Sequence, residues 1–131
     1  MKQKLISAAR DAAKNAYCKY SNYAVGAALL AEDGTIWLGC NVENSSYGAT
    51  NCAERTALFS AIAAGKRKFS AIAIAGGTAD SPASPCGICR QVLSEFCSPD
   101  MLVYYAGLEG DSIRTTTLGE LLPFAFSGAN L

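Results

Sequence analysis

Three cysteines and one glutamate form the pattern that most constrains this chain. Cys52 and Glu54 belong to one short motif, CAER, and Cys86 and Cys89 belong to a later one, PCGIC. Each motif stands at the predicted start of a helix. A fold that joins the two starts offers three thiolates to Zn²⁺ and leaves an open fourth position, as catalytic zinc sites require. Glu54, two residues from a ligand, is then placed to move protons to and from a water in that position.

The absence of histidine narrows the chemistry further. The chain has 0 His and 6 Cys, so imidazole is neither a base nor a ligand here. The N-terminus leads directly into a predicted amphipathic helix, and no stretch approaches the ~18 apolar residues of a membrane span. Without an export signal, the cysteines are expected to be reduced thiols or metal ligands. We expect a cytoplasmic protein with no membrane partner.

Length and charge set the domain count and the class of partner. The 131 residues suit one domain, residues 1–131, with a single core. Lys and Arg number 11 and balance 11 Asp and Glu. Binding to polynucleotides usually requires a basic face. The sequence therefore predicts no nucleic-acid partner.

Hydrophobic periodicity predicts an α/β fold. Helices are predicted over residues 4–17, 52–64, 86–96 and, as a short segment, 118–122. Strands are predicted over residues 25–30, 35–40, 69–75, 101–106 and 112–117. Asn51 is expected to cap the second helix and Gly65 to end it, and Pro85 suits the start of the third. This order predicts a mixed sheet with helices packed on its faces.

Two other interpretations of the cysteines remain open. A CxxC pair is also typical of redox proteins, but there it normally follows an early strand of a thioredoxin-like fold, and CAER would have no role. A structural zinc site would need a fourth thiolate from Cys18, Cys40 or Cys97. Cys97 lies roughly 16 Å along the helix from Cys86 if that helix is continuous, which excludes it from a shared site.

The charge of a three-thiolate site must be offset. Three thiolates and Zn²⁺ sum to −1, which weakens the acidification of a bound water. The two helix N-termini supply partial positive charge and N–H donors. Arg55 shares a helix face with Cys52 and can donate to its sulfur, and Arg90 stands in a similar relation to Cys86. Arg55 is therefore predicted to compensate the cluster's charge.

At these residues the chain resembles the cytidine deaminase family in its small, three-cysteine form. The matching segments are residues 20–30 (YSNYAVGAALL), 39–44 (GCNVEN), 51–57 (NCAERTA), 84–91 and 120–123. The resemblance implies a three-layer α/β/α fold with a mixed, about five-stranded sheet. It also implies zinc-dependent hydrolytic deamination of cytidine and 2′-deoxycytidine in pyrimidine salvage, by a homotetramer whose active sites are shared between chains.

The resemblance also implies roles for individual residues. Glu54 would move protons between the attacking water, ring N3 and the leaving ammonia. The family's zinc ligands correspond to Cys52, Cys86 and Cys89. The Ala53 N–H and the Ser84 carbonyl would hold the pyrimidine O2 and amino group. The ribose and the ring would be contacted by Asn41, Glu43, Tyr23 and Phe126.

Two positions bear on the substrate. Tyr23 stands where the family usually has Phe, and Phe124 is a second candidate for the ring contact assigned to Phe126. A blasticidin-type deaminase, which has the same zinc core, is an alternative enzyme. The segment Asn41-Val42-Glu43-Asn44 favours ordinary nucleosides. A non-catalytic four-cysteine zinc module is the alternative from another class of protein.

Overall fold

The centre of the fold is a mixed sheet of five strands. The computed structural model describes all 131 residues, Met1 to Leu131. The strands are β1 (Val25–Ala31), β2 (Ile36–Cys40), β3 (Phe69–Gly76), β4 (Leu102–Ala106) and β5 (Arg114–Thr117). They lie in the order β2-β1-β3-β4-β5, with β3 and β4 parallel and the other neighbours antiparallel. The predicted mixed five-stranded sheet is confirmed.

Helices cover both faces of this sheet. They are α1 (Lys2–Ala13), α2 (Ala53–Ala63), α3 (Gly87–Phe96) and α4 (Leu118–Leu121), with 3-10 turns at Tyr47–Ala49 and Gly128–Asn130. None of the helices is long and apolar enough to cross a membrane.

The alternation of β3 explains the three layers. Ile72 and Ile74 lie in a core cluster with residues of α2 and α3, whereas Ala71, Ala73 and Ala75 lie in a second cluster with residues of α1. Successive side chains of a strand point to opposite faces, so one strand serves both cores. The predicted α/β/α arrangement is confirmed.

Two glycines let helices approach the sheet closely. A Cβ at Gly26 would lie 1.9 Å from the carbonyl oxygen of Ala9 in α1. A Cβ at Gly39 would lie 2.4 Å from the Ala53 carbonyl oxygen and from the Ala57 nitrogen in α2. Only glycine fits at these two contacts. The second contact fixes the first turn of α2 against β2.

The first helix is shorter than predicted. It ends at Ala13 instead of residue 17, because the chain turns towards the segment after β2. There the Tyr17 N–H donates to the Asn41 carbonyl at 2.9 Å, and the Glu43 N–H donates to the Tyr17 carbonyl at 2.8 Å. This pairing holds the stretch that carries Asn41 and Glu43.

The predicted starts of α2 and α3 were one residue early, whereas the start of α1, predicted at residue 4, lies at Lys2. Cys52, and not Asn51, is the N-cap of α2. Asn51 instead exchanges backbone hydrogen bonds with Val42 and donates from its side chain to the Thr56 hydroxyl. Cys86 is the N-cap of α3, so Pro85 precedes the helix.

The other boundaries lie near their predicted positions. The C-terminus of α2 was predicted correctly, since Gly65 follows it with φ +90°. The last strand is shorter than the predicted 112–117, beginning only at Arg114.

We expect Gly39→Ala to lower the free energy of unfolding by about 1–3 kcal/mol, because the methyl group would displace α2. Urea titration at fixed protein concentration measures this change. Gly48→Ala is the matched control, since a Cβ there meets nothing within 4 Å, and its effect should stay within about 0.5 kcal/mol. Equal stability of the two variants would contradict the close packing of α2 on β2.

Candidate metal centre and active site

Two helix N-termini meet on one side of the sheet. Cys52 caps α2 and Cys86 caps α3, both with extended backbone conformations. Helices α2 and α3 pack against each other, and both contribute residues to the same core cluster. Cys89 lies one turn into α3 and is buried. The structure therefore brings together the two motifs that the sequence keeps apart.

The three thiols fit a zinc ion. The Sγ atoms of Cys52, Cys86 and Cys89 all lie within 4.8 Å of one another, and those of Cys52 and Cys86 are 3.9 Å apart. Tetrahedral zinc with sulfur ligands at ~2.3 Å implies sulfur atoms roughly 3.8 Å apart. No other group of three or more potential metal-binding side chains is present, and neither Cys18 nor Cys40 belongs to this one. The group provides three ligands and no fourth thiolate.

Neighbouring groups shift the pKa values of Cys52 and Cys89 in opposite directions. A hydrogen bond with Cys89 lowers the pKa of Cys52 to about 5, with a further contribution from Arg55. The same bond with Cys52, together with burial, raises the pKa of Cys89. Arg55 donates from Nη2 to the Cys52 sulfur at 3.2 Å, and its Nε is buried without a partner. The predicted proximity of Arg55 to the cluster is confirmed by this contact.

Arg90 does not donate to sulfur. Its guanidinium donates to the Pro85 and Leu121 carbonyl oxygens, at 2.7 Å and 2.9 Å. The expectation from spacing, that Arg90 and Arg55 have equivalent relations to their cysteines, was therefore wrong. Helical spacing places a side chain on a face, but these carbonyls decide where the guanidinium binds.

Glu54 is buried beside the thiols. Only 4% of the residue is exposed, and burial raises the pKa of its carboxyl to about 7. It is absent from the potential ligand group. A carboxyl group that titrates near neutral pH next to a pocket is suited to both accepting and delivering a proton.

A pocket of about 400 Å³ opens onto this group. Of the predicted substrate contacts, it contains Tyr23, Asn41, Glu43, Ala53 and Ser84, together with Cys52, Glu54 and Cys86. Phe126 does not line this pocket, and neither does Phe124. The pocket's remaining lining was not predicted: Ser21, Val25, Thr50 and Ala83.

Asn41 and Glu43 hold the backbone that forms one pocket wall. Asn41 accepts from the Val25 N–H at 2.9 Å and donates to the Tyr23 carbonyl at 2.8 Å. Glu43 accepts the Ser21 hydroxyl hydrogen bond, which is the main cause of its lowered pKa. The sequence alone shows these two residues only as polar loop residues. Their hydrogen-bond partners lie sixteen or more positions earlier in the chain, so the local pattern cannot reveal these contacts.

The extra hydroxyl of Tyr23 faces Gly77. A Cβ at Gly77 would lie 2.7 Å from the Tyr23 hydroxyl oxygen, so only the absence of a side chain there makes room for it. Gly77 directly follows β3 and has φ +70°. Gly77 therefore leaves room for a tyrosine at residue 23, which lines the pocket.

Comparison with known proteins agrees with this geometry. The model of the "cytidine and deoxycytidylate deaminase zinc-binding region" matches residues 1–106. A cytidine deaminase of Sporosarcina psychrophila is 55% identical over 98% of this chain and 93% of its own. The chain belongs to the cytidine deaminase family. Zinc is accordingly its cofactor, and the three-thiol group is positioned to hold it.

Other cytidine deaminases match over nearly the full chain. One from Halalkalibacterium halodurans is 50% identical, over 99% of this chain and 97% of its own. The crystal structure of a Burkholderia pseudomallei cytidine deaminase superposes with a TM-score of 0.91 at 53% identity, covering 96% of this chain and 99% of that one. A blasticidin-S deaminase of Bacillus cereus is only 32% identical, over 79% of this chain.

Metal analysis of single cysteine variants tests the ligand set. The native chain should hold one zinc ion, and Cys86→Ser should lose most of it, because a neutral hydroxyl replaces a thiolate ligand. Cys18→Ser should keep its zinc, since Cys18 lies outside the three-thiol group. Zinc loss from the Cys18 variant would contradict the three-ligand site.

Proposed function

We propose that this chain deaminates cytidine and 2′-deoxycytidine, with water, to uridine or 2′-deoxyuridine and ammonia. The observation that carries the proposal is a single pocket lined by Glu54 and by two of the three clustered thiols, those of Cys52 and Cys86. The two curated cytidine deaminases at 55% and 50% identity support it. We further propose that all 131 residues form one domain and that the enzyme serves pyrimidine salvage in the cytoplasm.

The thiols of Cys52, Cys86 and Cys89 would hold the zinc ion. When bound, zinc lowers the pKa of a water in its open position and orients that water. Arg55 would reduce the negative charge of the cluster, because it already donates to the Cys52 sulfur at 3.2 Å. The N-termini of α2 and α3 add partial positive charge at the same place.

Glu54 would carry the protons of the reaction. Its carboxylate would accept one proton from the attacking water and deliver it to ring N3, and would then move the second proton from the newly added hydroxyl group to the departing amino group, which leaves as ammonia. Burial excludes bulk water, so that the carboxyl group exchanges protons with the reacting atoms instead of solvent. The position of Glu54 at the second residue of α2 fixes it relative to Cys52.

Backbone groups would orient the pyrimidine. The Ala53 N–H opens α2 and has no acceptor within the helix, as for every first-turn amide, so it is suited to bind the ring O2. The carbonyl of Ser84, which directly precedes the second cysteine motif, would accept a hydrogen bond from the amino group. Both Ala53 and Ser84 line the pocket.

Nucleosides are the proposed substrate class. Asn41 and Glu43 would bind the ribose 3′-hydroxyl, and Tyr23 would enclose the sugar. The net charge is +0 and the pocket holds the acidic Glu43 but no Lys or Arg, which disfavours phosphates and nucleic acids. The weaker match to a blasticidin-S deaminase supports ordinary nucleosides over that antibiotic.

We also propose a homotetramer whose sites are completed by a neighbouring chain. Phe126 is 60% exposed and lies outside the pocket of its own chain. Other large apolar side chains are exposed as well, among them Phe59 and Ile88. Burial of these residues between subunits would remove apolar surface from water and bring Phe126 to another chain's substrate.

Glu54→Gln should retain zinc and its fold but lose at least about 10²–10⁴-fold in kcat, because the amide cannot accept or deliver the protons. The measurement is cytidine turnover by the zinc-loaded variant, with zinc content determined on the same sample. Glu32→Gln, in the exposed hairpin turn, should behave like the native enzyme. Near-native turnover by Glu54→Gln would remove Glu54 from this role.

Mixed oligomers test the shared site. Glu54→Gln chains carry an intact Phe126, and Phe126→Ala chains carry an intact Glu54. Co-expressed mixtures should exceed the summed activity of the two parent oligomers, since some sites then contain both intact residues. No gain would mean that Phe126 serves its own chain, and a monomer in sedimentation would contradict the tetramer directly.

A further inference from the structure

Arg90 joins two segments that are distant in sequence. From the first turn of α3, its Nε donates to the Pro85 carbonyl at 2.7 Å, while Nη1 donates to the Leu121 carbonyl at 2.9 Å. Its Nη2 lies 3.5 Å from the Ser84 hydroxyl oxygen. One guanidinium therefore connects the loop before α3 with the end of α4.

The neighbouring residue extends this connection. Gln91 donates from Nε2 to the Phe126 carbonyl at 3.0 Å. Arg90 and Gln91 thus bind the C-terminal segment, residues 121–127, at two points. Arg90 binds it at Leu121 and Gln91 binds it at Phe126, with Pro123 to Ala125 between the two attachments. These three residues are exposed, so few other contacts fix the segment.

Both attached segments carry proposed substrate contacts. The loop before α3 carries the Ser84 carbonyl and leads directly into the N-cap Cys86. The C-terminal segment carries Phe126, which is exposed and does not line the pocket of its own chain. A shift of either segment would move a group that contacts substrate, and displacements of about 1 Å can strongly reduce catalysis.

We propose that Arg90 is a positioning residue for substrate binding, which fixes the Ser84–Cys86 loop and, together with Gln91, the segment bearing Phe126. This inference rests on the proposed function, because Ser84 and Phe126 are there assigned to the substrate. The inference adds to the proposed function a physical connection, through Arg90 and Gln91, between the Ser84–Cys86 loop and the C-terminal segment.

The geometry separates this role from charge compensation. Arg55 donates directly to a thiol sulfur. The Arg90 guanidinium instead contacts neutral oxygen atoms, those of two carbonyl groups and one hydroxyl group. A planar guanidinium reaches the two carbonyls from different nitrogens at once, but a lysine ammonium offers a single nitrogen. Replacement by lysine therefore keeps the positive charge but removes the second nitrogen donor.

Arg90→Lys is the decisive variant. We expect about a 10-fold to 100-fold lower kcat/KM for cytidine, mainly through a higher KM, because contacts made equally in ground state and transition state are weakened. Zinc content should remain near that of the native chain. Amide hydrogen exchange in residues 121–127 should become faster, since the segment loses one attachment.

Gln91→Ala separates the two attachments. It should raise KM and speed exchange around residue 126, while leaving exchange at the Ser84–Cys86 loop unchanged. Arg67→Lys is the matched control, because Arg67 also donates to two backbone carbonyls, those of Ile62 and Lys66, at the far end of α2. Native kinetics are expected for that control.

Native KM and native exchange in Arg90→Lys would overturn the proposal, since charge alone would then suffice. Loss of zinc with unchanged KM per loaded chain would also overturn it, because Arg90 would then serve the metal. The exchange measurement requires no turnover. If native protein fails to deaminate cytidine, the proposed function fails, while exchange still shows whether Arg90 fixes the segment.

Discussion

The placement of thiol sulfur at the N-termini of two helices is the constraint on which the site depends. A cluster of thiolates beside Zn²⁺ carries net negative charge, and buried charge is costly unless it is paired. Here Cys52 and Cys86 are themselves the N-caps, and Arg55 donates to one of the sulfurs. Groups within one turn of Cys52 and Cys86 are therefore placed where they can offset this negative charge.

Close packing on the sheet supplies the precision that this arrangement needs. Gly39 allows the first turn of α2 to lie against β2, and the same turn carries Ala53 and Glu54. The position of the Glu54 carboxyl group is thus set by the packing of α2 on the sheet as well as by its neighbour Cys52. A small change of packing far from the pocket entrance would displace the site.

The sequence predicted that the thiols of Cys52, Cys86 and Cys89 lie together, and the structure places them in one group. Both cysteine motifs stand at helix starts and the chain has no histidine, so a metal site here could be built only from thiolates and carboxylates. Periodicity also located every main helix and strand, since each buries one regular face. Helix ends were less well predicted, because the backbone of Tyr17 is hydrogen-bonded to Asn41, and that of Asn51 to Val42, and neither residue continues a helix.

What the sequence could not predict depends on contacts between distant segments. Arg55 and Arg90 have similar local spacing from a cysteine, yet one binds sulfur and the other binds the Leu121 carbonyl. Asn41 and Glu43 likewise gain their structural role only when Tyr17 pairs beside them. Local pattern defines the face of a helix, and tertiary neighbours select the partner.

Substrate choice is tested by the initial rate of absorbance change when zinc-loaded native protein is mixed with cytidine, deoxycytidine, dCMP, adenosine and blasticidin S in parallel. Rapid conversion of cytidine and deoxycytidine is expected, with much slower or no conversion of the other three compounds. Faster conversion of dCMP or blasticidin S than of both nucleosides, or no conversion of either nucleoside, would contradict the proposed function.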